Sequence, residues 1–235
     1  MKDQANIEPQ SKNLIPTVIL DFDQSEVQDL VKLLRQSTHP DRAFLQKVHS
    51  YLSQSLLPVY SANEWQPVSK TLRDRQGSCS QRMACLEAVA RAAGIPTRVH
   101  AFHVKGAFWY PRFRILRSLI PNRVLLVWPQ FFLQGVWLDF DELYLPIAQL
   151  AAASTSGFTN DGESLFEAVQ HTPVDFLGKT CGLECARPEH NLSKFILEDQ
   201  EFFDSRDDAF KQFGSFQQTI RGRLFEVFFG GRKSF

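Results

Sequence analysis

Residues 76–99 read Q-G-S-C-S-Q-R-M-A-C-L-E-A-V-A-R-A-A-G-I-P-T-R-V, and the fold is decided by how this stretch is understood. Ser78 followed by Gln81 has capping-box spacing, which places Cys79 at the first position of a helix running to Ala93. Gly94 and Pro96 are helix-stop signals, and Thr97 to Val104 then reads as a strand. A cysteine at a helix start faces unsatisfied backbone N–H groups and the positive end of the helix dipole, both of which favour a thiolate. The plain alternative is a buried cysteine that happens to lie near a helix end, since cysteine is often buried.

Upstream, Asp23 and Ser25 can cap a helix with Val27, Leu30, Leu33 and Leu34 at helical spacing. A second helix follows Pro40, with Phe44, Val48, Leu52 and Leu56 as its stripe, and Pro58 ends it. Downstream, Val124 to Trp128 and Phe131 to Leu133 are strand-like, and Gln134-Gly135 turns the chain into Val136 to Phe140. The remainder reads as helical: Pro146 to Ala153, Ser164 to Gln170, Leu192 to Phe203 and Arg206 to Phe229. The class is α+β, a cysteine helix packed on a small antiparallel sheet. Residues 1–15 are expected to be flexible, 16–145 to form the core, and 146–235 to be a helical extension packed on it as one domain.

At 235 residues the chain can bury a full core. Its 26 basic and 26 acidic residues balance, which argues against a nucleic-acid partner. There is no leader-like apolar segment and no run of about 18 apolar residues, so neither secretion nor a membrane span is expected. Four cysteines in that setting predict reduced thiols and a cytoplasmic location. The 21 phenylalanines are read as core. Cys181 and Cys185 with His171 and His190 nearby match ordinary zinc spacing poorly, so no metal and no cofactor is expected.

Gly77-Ser78-Cys79, the stretch Ala92-Ala93-Gly94-Ile95-Pro96-Thr97-Arg98-Val99, Val127-Trp128-Pro129 and Gly135-Val136-Trp137-Leu138-Asp139-Phe140-Asp141 together resemble the transglutaminase-like superfamily, which has a papain-like cysteine fold. The resemblance covers about residues 24–145. It implies acyl transfer by a Cys–His–Asp triad in which a base activates the thiol and an acid orients the base. Carried over by position, Cys79 matches the nucleophile and Asp141 the orienting acid, whereas Leu126 stands where the histidine belongs. Leucine cannot take a proton, and three readings follow. A histidine has moved, with His103 preferred to His100. Alternatively the thiol works alone on a thioester, whose leaving group departs with little acid assistance. In the third reading the chemistry has lapsed and the fold binds a partner or small molecule.

The favoured function is acyl transfer or hydrolysis on a thioester- or amide-bearing small molecule or peptide, for instance a carrier-protein-bound thioester in amide-forming biosynthesis. Gln76, Gln81 and Trp128 are candidates for oxyanion or substrate contact, with capping and core packing as their plainer roles. The insertion 105–123 interleaves Phe108 and Trp109 with Arg112 and Arg114. It reads either as a lid over the cysteine, suited to an apolar anionic ligand, or as a surface segment with solvated arginines.

Overall fold

Cys79–Ala92 forms helix α4, the axis of the molecule. Alanine, leucine, methionine, arginine and glutamate make it a strong helix former. Its start is fixed as the spacing predicts: Ser78 Oγ accepts from the Gln81 N–H at 3.3 Å, and Gln81 Oε1 accepts from the Ser78 N–H at 2.8 Å. Every residue from Gln81 to Arg91 is buried, so α4 is a core helix covered on all sides. A computed structural model describes residues 8–36, 40–113, 117–180 and 188–234 of the chain.

Three helices cover one flank of α4. In α1 (Ser25–Arg35), Val27, Leu30 and Leu34 are buried, and in α2 (Asp41–Ser55), Phe44, Val48 and Leu52 are. Helix α3 is Val68–Asp74. A short parallel pairing of β1 (Leu57–Pro58) with β2 (Gln76–Gly77) lays residues 57–60 beside the start of α4. Gly77 lets β2 pass close to α3, because a Cβ there would stand 2.9 Å from Thr71 Cγ2.

The other flank is a four-stranded antiparallel sheet in the order β5-β4-β3-β6. Strands β3 (Thr97–Lys105) and β4 (Arg123–Leu133) pair without interruption from Thr97↔Phe131 to Lys105↔Arg123. Gln134 and Gly135 both take positive φ, 53° and 83°, and turn the chain into β5 (Val136–Asp139). Thr97 Oγ1 accepts from Arg91 Nε of α4 at 2.7 Å, so the face of β3 carrying Thr97, Val99, Ala101 and His103 is the α4 face. Arg98, His100 and Phe102 point the other way, as does Trp128 opposite His100.

Two expectations for the C-terminal part are corrected. Leu192 to Phe203 is not a helix: Ile196–Phe203 is strand β6 on the outer edge of β3. Its register slips twice against β3, between His100/Phe102 and between His103/Val104, so no clean apolar alternation marks it in the sequence. Arg206 to Phe229 is two helices, α7 (Arg206–Phe213) and α8 (Ile220–Phe229), separated at Gly214 with φ 76°. Helices α5 (Ile147–Ala153) and α6 (Leu165–Ala168) lie between β5 and β6 in the chain. Phe166, Val174, Phe176, Leu192 and Phe210 join the same buried cluster as α4 and the sheet.

Candidate active site around Cys79

The first turn of α4, the Tyr60 strand end, the insertion before β4, and residues from the C-terminal part enclose a cavity of about 190 Å³. Cys79, Ser80, Arg82 and Met83 form its α4 wall. Val124 to Val127 of β4 line it as well, with Leu126 among them. Trp109, Arg112, Phe113 and Ile120 come from the insertion, and Phe216 and Phe225 from the end of the chain. The wall at residues 58–60 is held by that same end: the Tyr60 N–H donates to the Arg232 carbonyl at 2.9 Å, and Tyr60 Oη to the Ser234 carbonyl at 2.9 Å.

Cys79 is half-buried and reduced. Burial pushes its thiol up to about 11, and the Glu167 carboxylate adds to the rise. Arg82, Arg112 and the Phe166 backbone N–H pull in the opposite direction without prevailing. Arg82 is wholly buried three residues beyond Cys79 on α4. It donates through Nη2 to Glu167 and lies over the Phe166 ring at 4.5 Å. Glu167 also accepts from Ser164 Oγ, which caps α6. His49 of α2 braces that helix through a 2.6 Å contact to the Phe166 carbonyl and one of 2.7 Å to Tyr144 Oη. Burial lowers His49 to about 4, so its ring is neutral at pH 7.

The residues singled out from the sequence are distributed unevenly around this cavity. Asp141 is buried, accepts from Trp128 Nε1 at 2.9 Å, and holds its proton well above the usual carboxylate range because of burial and then the neighbouring Asp139. Its bond is therefore to the indole, and Trp128 Nε1 is committed to it. Gln81 uses Oε1 for the cap and donates from Nε2 to the Asn63 carbonyl at 2.9 Å. Gln76 lies in β2 opposite Leu57.

Among the described residues the cavity lining contains no histidine. His100 points to the face away from α4, packs between Phe102 and Phe202, and meets Asp199 at 2.6 Å through Nε2. His103 is on the α4 face but lies against Phe213 of α7, with Arg123 Nη2 at 3.0 Å from Nδ1. Trp109 and Arg112 line the cavity. Phe108 does not; it is buried among Phe158, Phe176 and Phe195. Arg114, Cys181 and Cys185 lie outside the described residues, and no metal-binding group of three or more His, Cys, Asp or Glu occurs among the described ones.

Arg82, Glu64 and Glu167 escaped the sequence reading. A charged residue three positions after Cys79 on one helix face was a usable signal for Arg82. Nothing local marks Glu167, which is 85 residues from its partner. Glu64 lines the cavity, accepts from Ser80 Oγ at 2.5 Å, and is raised above the usual range by burial.

Residues 28–142 match the family model of the transglutaminase-like superfamily. A crystal structure from Cytophaga hutchinsonii, assigned as a cysteine protease, is similar at 16% identity with a TM-score of 0.43; the match spans 55% of this chain and 39% of that one. No curated protein matches. No helix of the described residues is long and apolar enough to cross a membrane. The family match supports cysteine-based chemistry at a coarse level, and Cys79 opens α4.

Proposed function

From the premise that residues 28–142 are a transglutaminase-like domain, we propose that Cys79 accepts acyl groups from thioesters bound in its cavity. The observation that carries this reading is a thiol at the first position of α4 lining a partly open, largely apolar cavity; Leu126, which the sequence resemblance puts at the position of the base, lines it too. Attack forms a bond from Cys79 Sγ to the acyl carbon and breaks the bond from that carbon to the donor sulfur. The proton leaving Cys79 ends on the departing sulfur, so the exchange balances without a protein base. An amide donor is disfavoured, because its leaving nitrogen must be protonated, and among the described residues the lining holds no histidine while its one carboxyl, Glu64, is bonded to Ser80. A donor carried on a phosphopantetheine arm fits, whether free or on a carrier protein. The acyl-Cys79 thioester then waits for an amine or thiol acceptor, since among the described residues the lining holds no histidine to activate water.

Paired donors test this. An octanoyl thioester of N-acetylcysteamine should release one equivalent of thiol in a burst, the matching amide should release nothing, and Cys79→Ala should abolish the burst. Equal release by wild type and Cys79→Ala would overturn the reading. A second reading, a binding protein in which the chemistry has lapsed, is favoured by the thiol standing at about 11. It predicts that neither donor reacts.

A further inference from the structure

The polar groups of the cavity are not balanced. Arg82 is wholly buried, yet its Nε and Nη1 find no hydrogen-bond partner among the described residues. Arg112 donates from Nε to Asn160 Oδ1 at 2.5 Å and from Nη1 to the Ser234 carbonyl at 3.4 Å, while its Nη2 is buried and likewise unpartnered. Among the described residues Arg82 has the single carboxylate Glu167, and Arg112 bonds the neutral Asn160 side chain and Ser234 carbonyl. The carboxyl among the lining residues, Glu64, is tied to Ser80 and drawn to Arg206. Buried guanidinium donors without acceptors are costly, and much of the surrounding wall is apolar, with Met83, Trp109, Phe113, Ile120 and Leu126 in it. Arg82 and Arg112 line the same cavity as Cys79.

We propose that this cavity is a binding site for apolar monocarboxylates, with the carboxylate received by Arg82 and Arg112 and the hydrocarbon body against Met83, Phe113 and Leu126. A carboxylate suits these donors because its two oxygens take paired guanidinium bonds, and its negative charge matches Arg112, which has no acidic partner among the described residues. A free acid binds without any bond being made, so the site is independent of acyl transfer at Cys79.

Calorimetric titration of the full chain with octanoate and with octan-1-ol is the test. Octanoate should bind at one site, at least about tenfold more tightly than the alcohol, in keeping with a charge-assisted hydrogen bond. Arg112→Gln should weaken octanoate about tenfold or more, and Arg82→Lys should weaken it too, with circular dichroism confirming that each variant is folded. Cys79→Ala should retain octanoate binding, and octanoate should slow iodoacetamide labelling of Cys79 in the wild type. Equal affinities for acid and alcohol, no saturable octanoate binding, or folded arginine variants that bind octanoate as the wild type does would each overturn the proposal.

Discussion

Helix α4 buries two arginines at opposite ends, and they are treated differently. Arg91, in the last turn, donates to the carbonyls of Lys12, Ile15, Thr97 and Asp204 and to Thr97 Oγ1. Arg82, in the first turn, has Glu167 and an aromatic face, with two nitrogens unmatched. A residue kept for architecture is saturated with acceptors. One that faces a cavity beside a cysteine is left with capacity to bind.

The largest effect should come from breaking the saturated end. Arg91→Leu removes the donor that ties four carbonyls and Thr97 Oγ1 together and should cost about 3 kcal/mol or more in urea unfolding. An unchanged midpoint would mean that Arg91 does not tie residues 12–15 and 204 to the sheet. Next is the reactivity of the thiol. With Cys79 at about 11, iodoacetamide labelling at pH 7 should be about a hundredfold slower than for free cysteine. The rate should rise about tenfold per pH unit through pH 9, and a plateau below pH 8 would contradict the cause assigned here, burial.

His49 supplies the third test. Its folded value of about 4 lies below the ordinary 6.5, so its contribution is present above pH 6.5 and is lost as pH falls through 4. The His49 contribution should fall by about 2 kcal/mol between pH 7 and 4.5, read as the difference between the unfolding free energies of wild type and His49→Gln over that range. The smallest effect belongs to the open end. Arg82→Met removes an under-satisfied charge, leaves Glu167 bonded to Ser164, and should change stability by less than about 1 kcal/mol. A loss as large as that of Arg91→Leu would erase the contrast between the two ends.

What could be read beforehand follows the range of the interactions. The cap of Ser78 and Gln81, the stop at Gly94, the strands after it and the Gln134-Gly135 turn are local, and each occurs where its residues put it. The β6 strand depends on pairing with β3 about a hundred residues away in the chain, and Ile-Leu-Glu-Asp-Gln-Glu-Phe-Phe carries no alternation to announce it. The same applies at the site. Cys79 and Leu126 could be placed by motif, whereas the Arg82–Glu167 pair and the turning of Phe108 into an aromatic cluster arise only once distant segments pack.

The central claim is that Cys79, with no base beside it, takes an acyl group from a thioester. Intact-mass spectrometry after incubation with the octanoyl thioester addresses it directly. The account predicts one octanoyl addition on the wild type that persists in buffer, is removed by an added amine, and is absent from Cys79→Ala. A wild-type protein that binds octanoate yet gains no octanoyl group would contradict it and leave the cavity as a binding site alone.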